Sequence, residues 1–186
     1  MSEKFSKYDD IQLYSKLAGD KSEAESAFAE LYARYSQRIY AYCLRILGNN
    51  EDARDVFQDT FLKFYDSSKA HKQIDNVCGY LIKIARNLCI NYKRDAKQNK
   101  SIEDFQIWTN DNDYERKELL QLLASSLELL DYDYKEAFIL RMYQGFSYEE
   151  ISKITGDSVS AIKNRVWRAK EKIKEILSPY LEDLSN

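Results

Sequence analysis

The stretch Phe146–Lys172, FSYEEISKITGDSVSAIKNRVWRAKEK, carries the clearest pattern in the chain. Ser147-Tyr148-Glu149-Glu150 has the form of a capping box, in which the Ser147 side chain caps the first turn and Glu150 reaches back. Ile151 and Ile154 then fall on one face of a short helix, with Tyr148 one turn earlier. Thr155-Gly156-Asp157-Ser158 interrupts the pattern. Gly156 is free to take a positive φ there, and Ser158 to cap a second helix. Val159, Ile162, Val166, Ala169 and Ile173 recur at steps of three and four, while Ser160, Lys163, Asn164, Trp167, Arg168 and Lys170 share the other face. A helix, a glycine turn and a second helix with a basic polar face form the layout of a DNA-reading helix-turn-helix. An ordinary amphipathic hairpin with a basic outer face fits the same spacing, so this stretch alone leaves both readings open.

The composition sets the frame around that hairpin. The chain has 186 residues with one Pro and five Gly, enough for one large or two small domains of mainly helical type. No apolar run approaches membrane-spanning length and Met1-Ser2-Glu3-Lys4 leads into no signal-peptide core, so a cytosolic protein without membrane insertion is expected. Cys43, Cys78 and Cys89 lack CxxC spacing and sit beside apolar neighbours, as small core residues do. The net charge is −3, which argues against strong DNA binding by the chain as a whole. The positive charge is local instead. Lys83, Arg86, Lys93, Arg94, Lys97 and Lys100 form one cluster, and Lys163, Arg165, Arg168, Lys170, Lys172 and Lys174 another. Such a chain should bind DNA weakly alone and better when something else holds it in place.

Upstream, residues 1–22 are polar apart from a short helical pattern at Ile11, Leu13, Tyr14 and Leu17, read as a packing arm. Ser22–Leu47 keeps a helical period through Phe28, Leu31, Tyr32, Tyr35, Ile39, Cys43 and Ile46. Gly48-Asn49-Asn50 ends that helix and caps the next. Glu51–Tyr65 should bury Ala53, Val56, Phe57, Thr60, Phe61 and Phe64. Its second stripe, Asp52, Asp55, Gln58, Asp59, Leu62 and Lys63, is acidic yet contains a leucine. Acidic residues early in a helix favour its dipole, so a stabilised solvent face explains that stripe as well as a contact surface does. Asp66–Asn76 reads as a polar loop with the one histidine, His71, and nothing nearby to make it a metal or acid–base site. Val77–Lys97 returns to a helix with Leu81, Ile84, Ala85, Leu88 and Tyr92 inward. Lys83, Arg86, Asn87, Asn91 and Arg94 point elsewhere, with Tyr80 and Tyr92 beside them. Basic, amide and aromatic side chains interleaved in this way suit phosphate contact, base-edge hydrogen bonding and stacking on unpaired bases; a solvated basic face is the alternative.

Gln98–Glu115 is acidic and aperiodic, as a linker would be. Arg116 opens a second helical domain with Leu119, Leu120, Leu122, Leu123, Leu127 and Leu130 on one helix. Ala137, Phe138, Leu140, Arg141 and Tyr143 lie on the next, and Ser178-Pro179 should close the final helix. The expected fold is therefore all-α, with two small helical domains (residues 1–97 and 116–186) joined by a flexible acidic linker (98–115), the second ending in the helix-turn-helix.

This constellation resembles the extracytoplasmic-function sigma factors, the smallest class of bacterial RNA polymerase sigma subunit, over about residues 24–177. The resemblance rests on NNEDARDVFQDTFLKFY (49–65), GYLIKIARNLCINYKRDAK (79–97), the hairpin, and the run Arg165-Val166-Trp167-Arg168-Ala169-Lys170 in that order. It implies that Asp52, Asp55, Gln58, Asp59, Leu62 and Lys63 dock on core RNA polymerase. It also implies that Tyr80, Lys83, Arg86, Asn87, Asn91 and Arg94 serve the minus-ten element, with a flipped base captured within residues 67–76. Ser158, Ser160, Ala161, Lys163, Asn164, Arg165, Trp167, Arg168 and Lys170 would then face the major groove of the minus-thirty-five element of promoter DNA. The resemblance further implies that the linker threads the polymerase channel, and it admits an anti-sigma factor as partner. Relatives often carry Leu-Pro where this chain has Leu130-Asp131, and Thr at the position of Ala161; Asp131-Tyr132-Asp133-Tyr134 has no counterpart in the family pattern. No catalysis and no cofactor are expected. Asp52, Asp55 and Asp59 cluster, but no second carboxylate set or histidine completes a hydrolytic site. A free-standing helix-turn-helix regulator is the competing reading; it would bind its promoter tightly without polymerase.

Overall fold

A computed structural model describes residues 5–70, 73–96 and 114–183, and among these the regular structure is entirely helical. The chain divides into two compact units, Met1–Ile102 and Glu103–Asn186.

In the first unit α1 (Asp10–Lys16), α2 (Lys21–Leu47), α3 (Asn50–Ser68) and α4 (Val77–Ala96) pack on one another. Each start has a sequence cause. The Asp9 and Asp20 side chains accept from Gln12 N and Glu23 N, and Asn49 accepts from Asp52 N. Gly48 ends α2 with φ 81°, the left-handed conformation that glycine adopts without a Cβ penalty. The Asn76 side chain accepts from Gly79 N at 2.8 Å and so caps α4. The core is filled by Leu13 and Leu17 of the arm, by Leu31, Ile39, Tyr42, Cys43 and Ile46 of α2, by Ala53, Val56, Phe61 and Phe64 of α3, and by Leu81, Ile82, Ala85 and Cys89 of α4. The arm is more than apolar packing. Arg34 ion-pairs with Asp10 at 2.8 Å and with Glu30 at 2.9 Å, and Tyr35 donates its hydroxyl to Asp10. Burial, reinforced by that acceptor, pushes the Tyr35 hydroxyl pKa up, so it remains a neutral donor.

In the second unit α5 (Tyr114–Glu128) and α6 (Tyr132–Phe138) pack against α8 (Val159–Asp183), with α7 (Tyr148–Thr155) crossing α8 at the hairpin. Leu127, Leu130, Phe138, Ala169, Ile173 and Leu177 form a buried cluster, with Leu122, Leu123 and Tyr134 packed against it. Two differences from the sequence expectation have local causes. The helix expected through Tyr143 leaves α-helical geometry at Ile139: residues Ile139–Tyr143 form a π-helical turn, with Gln144 N donating to Ile139 O at 3.0 Å. The final helix runs four residues past Pro179 to Asp183. Pro179 lies in the exposed last turns beyond Leu177, where one missing N–H is solvated at little cost.

His71, the core of the expected linker (97–113) and most of its isolated apolar residues lie outside the described residues. Among the described residues no helix is long and apolar enough to cross a membrane, and no group of His, Cys, Asp or Glu is placed to hold a metal ion.

Candidate nucleic-acid interface

The hairpin is built as its residues dictate. Ser147 and Glu150 form the reciprocal box, with Ser147 N donating to Glu150 Oε2 at 2.8 Å and Glu150 N to Ser147 Oγ at 3.2 Å. Gly156 takes φ 84° and its N–H bonds Ser152 O at 2.8 Å, which stops α7. The Ser152 hydroxyl donates to Asp157 O at 2.6 Å, holding the turn from the other side. Ser158 caps α8, accepting from Ala161 N at 3.2 Å. Ile151, Ile154, Ile162, Val166 and Ala169 are buried, so burial of one face of α8 fixes which side chains remain outside.

Those outside are Ser158, Ser160, Lys163, Asn164, Trp167, Arg168 and Lys170, all exposed. Trp167 keeps 54% of its surface in solvent, far more than a core tryptophan would, and the Arg168 guanidinium carbon stands 5.1 Å from its ring centroid. Lys163 lies 5.6 Å from the centroid of Tyr148, which Arg141 approaches from 4.8 Å; Arg141 also donates to Phe146 O at 2.9 Å. Arg165 departs from the pattern. Its side chain is only 23% exposed and is drawn to Asp157 at 2.5 Å and Asp133 at 3.2 Å. Ala161 is half-buried, with a methyl where a hydroxyl was expected to matter. The sequence reading missed Arg141 and Tyr148 as members of this surface. Tyr148 sits one turn before the Ile pair, and an aromatic at that spacing reads as core.

On the first unit, Lys83, Asn87, Asn91 and Arg94 of α4 are exposed together. Arg86 is half-buried. Tyr80 is half-buried too, its ring 6.2 Å from Phe64 and 6.4 Å from Tyr14, so most of it belongs to the edge of the core and only part faces outward. Ile84 and Leu88, expected inward, are half-buried, and Ile82 and Cys89 take the deeper positions. The helix is rotated slightly because it packs on α2 and α3 together.

The acidic stripe of α3 splits. Asp55, Gln58, Asp59, Leu62 and Lys63 are exposed, with Leu62 at 63%. Asp52 is buried and is no part of that surface. Its carboxylate accepts from the Tyr92 hydroxyl and from Asn49 Nδ2 at 2.6 Å, which ties the start of α3 to the end of α4. The exposed remainder is a carboxylate-rich face with an apolar side chain at its centre. Such a face suits a basic protein partner better than solvent alone.

Comparison with known proteins agrees with both units. The sigma-70 region 2 profile matches residues 31–99, and the sigma-70 region 4 profile matches residues 120–173. RNA polymerase sigma factor CarQ of Myxococcus xanthus is 30% identical over 161 residues, covering 83% of this chain and 91% of that protein. The ECF RNA polymerase sigma-E factor of Haemophilus influenzae is 28% identical over 88% of this chain and 92% of its own length. Among solved structures, the sigma factor RpoE in complex with the anti-sigma factor NepR from Bartonella quintana superposes with a TM-score of 0.69 at 25% identity, over 81% of this chain and 96% of that one. With its two all-helical units, and a region 2 match and a region 4 match in that order, the chain belongs to the extracytoplasmic-function sigma factors of bacterial RNA polymerase.

Proposed function

We propose that this sigma factor directs core RNA polymerase to its promoters through three surfaces. The exposed Asp55, Gln58, Asp59, Leu62 and Lys63 face of α3 docks on the polymerase. Lys83, Asn87, Asn91 and Arg94 of α4, with the outward edge of Tyr80 and the Arg86 side chain, serve the minus-ten element. Ser158, Ser160, Lys163, Asn164, Trp167, Arg168 and Lys170 enter the major groove at the minus-thirty-five element, with Ala161 at their edge and Arg165 held behind them. Residues 1–97 and 116–186 act as the two promoter-reading domains, and residues 98–115 as the link between them. The reading takes the protein to be cytoplasmic and non-catalytic, and likeness to a sigma factor solved with its anti-sigma factor supports a second protein partner of that kind.

One observation carries the proposal: both units bury an apolar helical stripe and turn a basic, amide-containing stripe of the same helix outward. Two such faces on a chain of net charge −3 fit a subunit that gains affinity by being held in place. The test is run-off transcription from a pool of promoter fragments with purified core polymerase, with and without this protein, beside a gel shift without core. Protein-dependent transcripts with weak binding by the protein alone are expected. Tight binding alone, with no transcripts and no association with core, would overturn the proposal in favour of a free-standing regulator.

A further inference from the structure

We infer that Asp131 and Asp133 are a built-in competitor of DNA phosphate, holding two cations of α8 away from DNA and weakening binding by the free subunit. The inference rests on the DNA-reading assignment of α8 above.

Asp131 stands at the N-cap position of α6, where an aspartate ordinarily accepts from a backbone N–H, yet its side chain makes no such bond. Its carboxylate lies instead 3.4 Å from Lys172 Nζ, which also sits 5.1 Å from the ring centroid of Tyr134. Asp133, two residues on, lies 3.2 Å from Arg165, already paired to Asp157 at 2.5 Å. One guanidinium therefore answers two carboxylates, and that corner carries a net negative charge.

The location makes this matter. The Asp131–Tyr134 segment forms one wall of an open concavity whose other wall is Ala161, Asn164 and Arg165, the first turns of the helix assigned to the major groove. A phosphate approaching there meets a carboxylate before it meets Arg165. Folding gives little reason for the arrangement. Asp131 and Asp133 are 76% and 59% exposed, and ion pairs this wet contribute little to stability. Their effect falls on what approaches from solvent. Each acid offsets one cation that could otherwise neutralise a phosphate, and binding must first displace it.

The experiment compares the full-length protein with its Asp131→Asn/Asp133→Asn variant in gel shifts on minus-thirty-five duplex DNA across a salt series, without core polymerase. Glu149→Gln, which removes one exposed carboxylate of α7 that pairs with neither cation, controls for charge alone. The double variant should bind roughly tenfold tighter near physiological salt, with log K against log salt steeper by about 0.9 for each cation released. Asp131→Asn alone should give about half of that change in slope. Binding that is unchanged, weakened, or shifted no more than by Glu149→Gln would overturn the inference. A parallel arm uses holoenzyme carrying Lys163→Ala/Arg168→Ala. Loss of promoter binding in that arm leaves any failure with Asp131 and Asp133 alone. If promoter binding survives, the DNA-reading assignment itself falls, and the inference with it.

Discussion

The two basic helices, α4 and α8, look alike in the sequence and differ in how their charge is held. Both bury a continuous apolar stripe: Leu81, Ile82, Ala85 and Cys89 in α4, and Ile162, Val166, Ala169 and Ile173 in α8. In α4 the acid that braces the helix, Asp52, is buried and bonds the neutral Tyr92 hydroxyl, so it stands apart from the exposed Lys83 and Arg94. In α8 the cations are themselves engaged, Arg165 by Asp157 and Asp133, Lys172 by Asp131, and Arg168 by the Trp167 ring. A count of lysines and arginines therefore overstates the positive field of α8 relative to that of α4. What a ligand meets depends on which carboxylates the fold brings alongside.

The comparison can be broken first at its shared basis. Ile82→Ala in α4 and Ile162→Ala in α8 should each destabilise their unit by about 2–5 kcal/mol in chemical denaturation, because both side chains are fully buried. A small loss at either would mean that the outward face is not fixed by burial beneath it. The brace particular to α4 comes next. Tyr92→Phe should cost about 1–3 kcal/mol, since it leaves a buried Asp52 oxygen without its hydroxyl donor. The support particular to α8 is the hairpin before it, where Ser147→Ala should cost roughly 0.5–2 kcal/mol by opening the capping box of α7. Smallest in stability is Asp55→Lys, expected within about 0.5 kcal/mol of the parent because Asp55 is exposed. The same variant should lower affinity for core polymerase in a pull-down. Intact holoenzyme assembly would remove α3 from the docking surface.

Much of this was legible in the sequence, and the failures share a cause. Helix starts at Asn49, Ser147 and Ser158 and stops at Gly48 and Gly156 arise from residues within one turn of each other, so local chemistry suffices. Asp52 falls on the acidic stripe by its spacing and leaves it because Tyr92, forty residues later, arrives over it. Arg165 looks like a base reader until α6 brings Asp133 to it. Spacing along one helix gives the face of a side chain, and the partner waiting on that face comes from another element. The Asp131–Tyr134 motif, without any counterpart in the family pattern, acquires a meaning only through that kind of contact.

The π-helical turn at Ile139–Tyr143 has a consequence for insertions and deletions. A π turn accommodates one residue more than the α-helical turn it replaces. Deleting a single residue there would let α6 close as an ordinary helix and turn the residues downstream by about 100° around its axis. Met142 and Tyr143, now half in solvent, would exchange places with Leu140 in the core, and Arg141 would lose its reach to Phe146 O. Between homologous chains a one-residue gap at this point would be a change of phase as well as of length, and deletion scanning across 139–143 should meet its sharpest intolerance there.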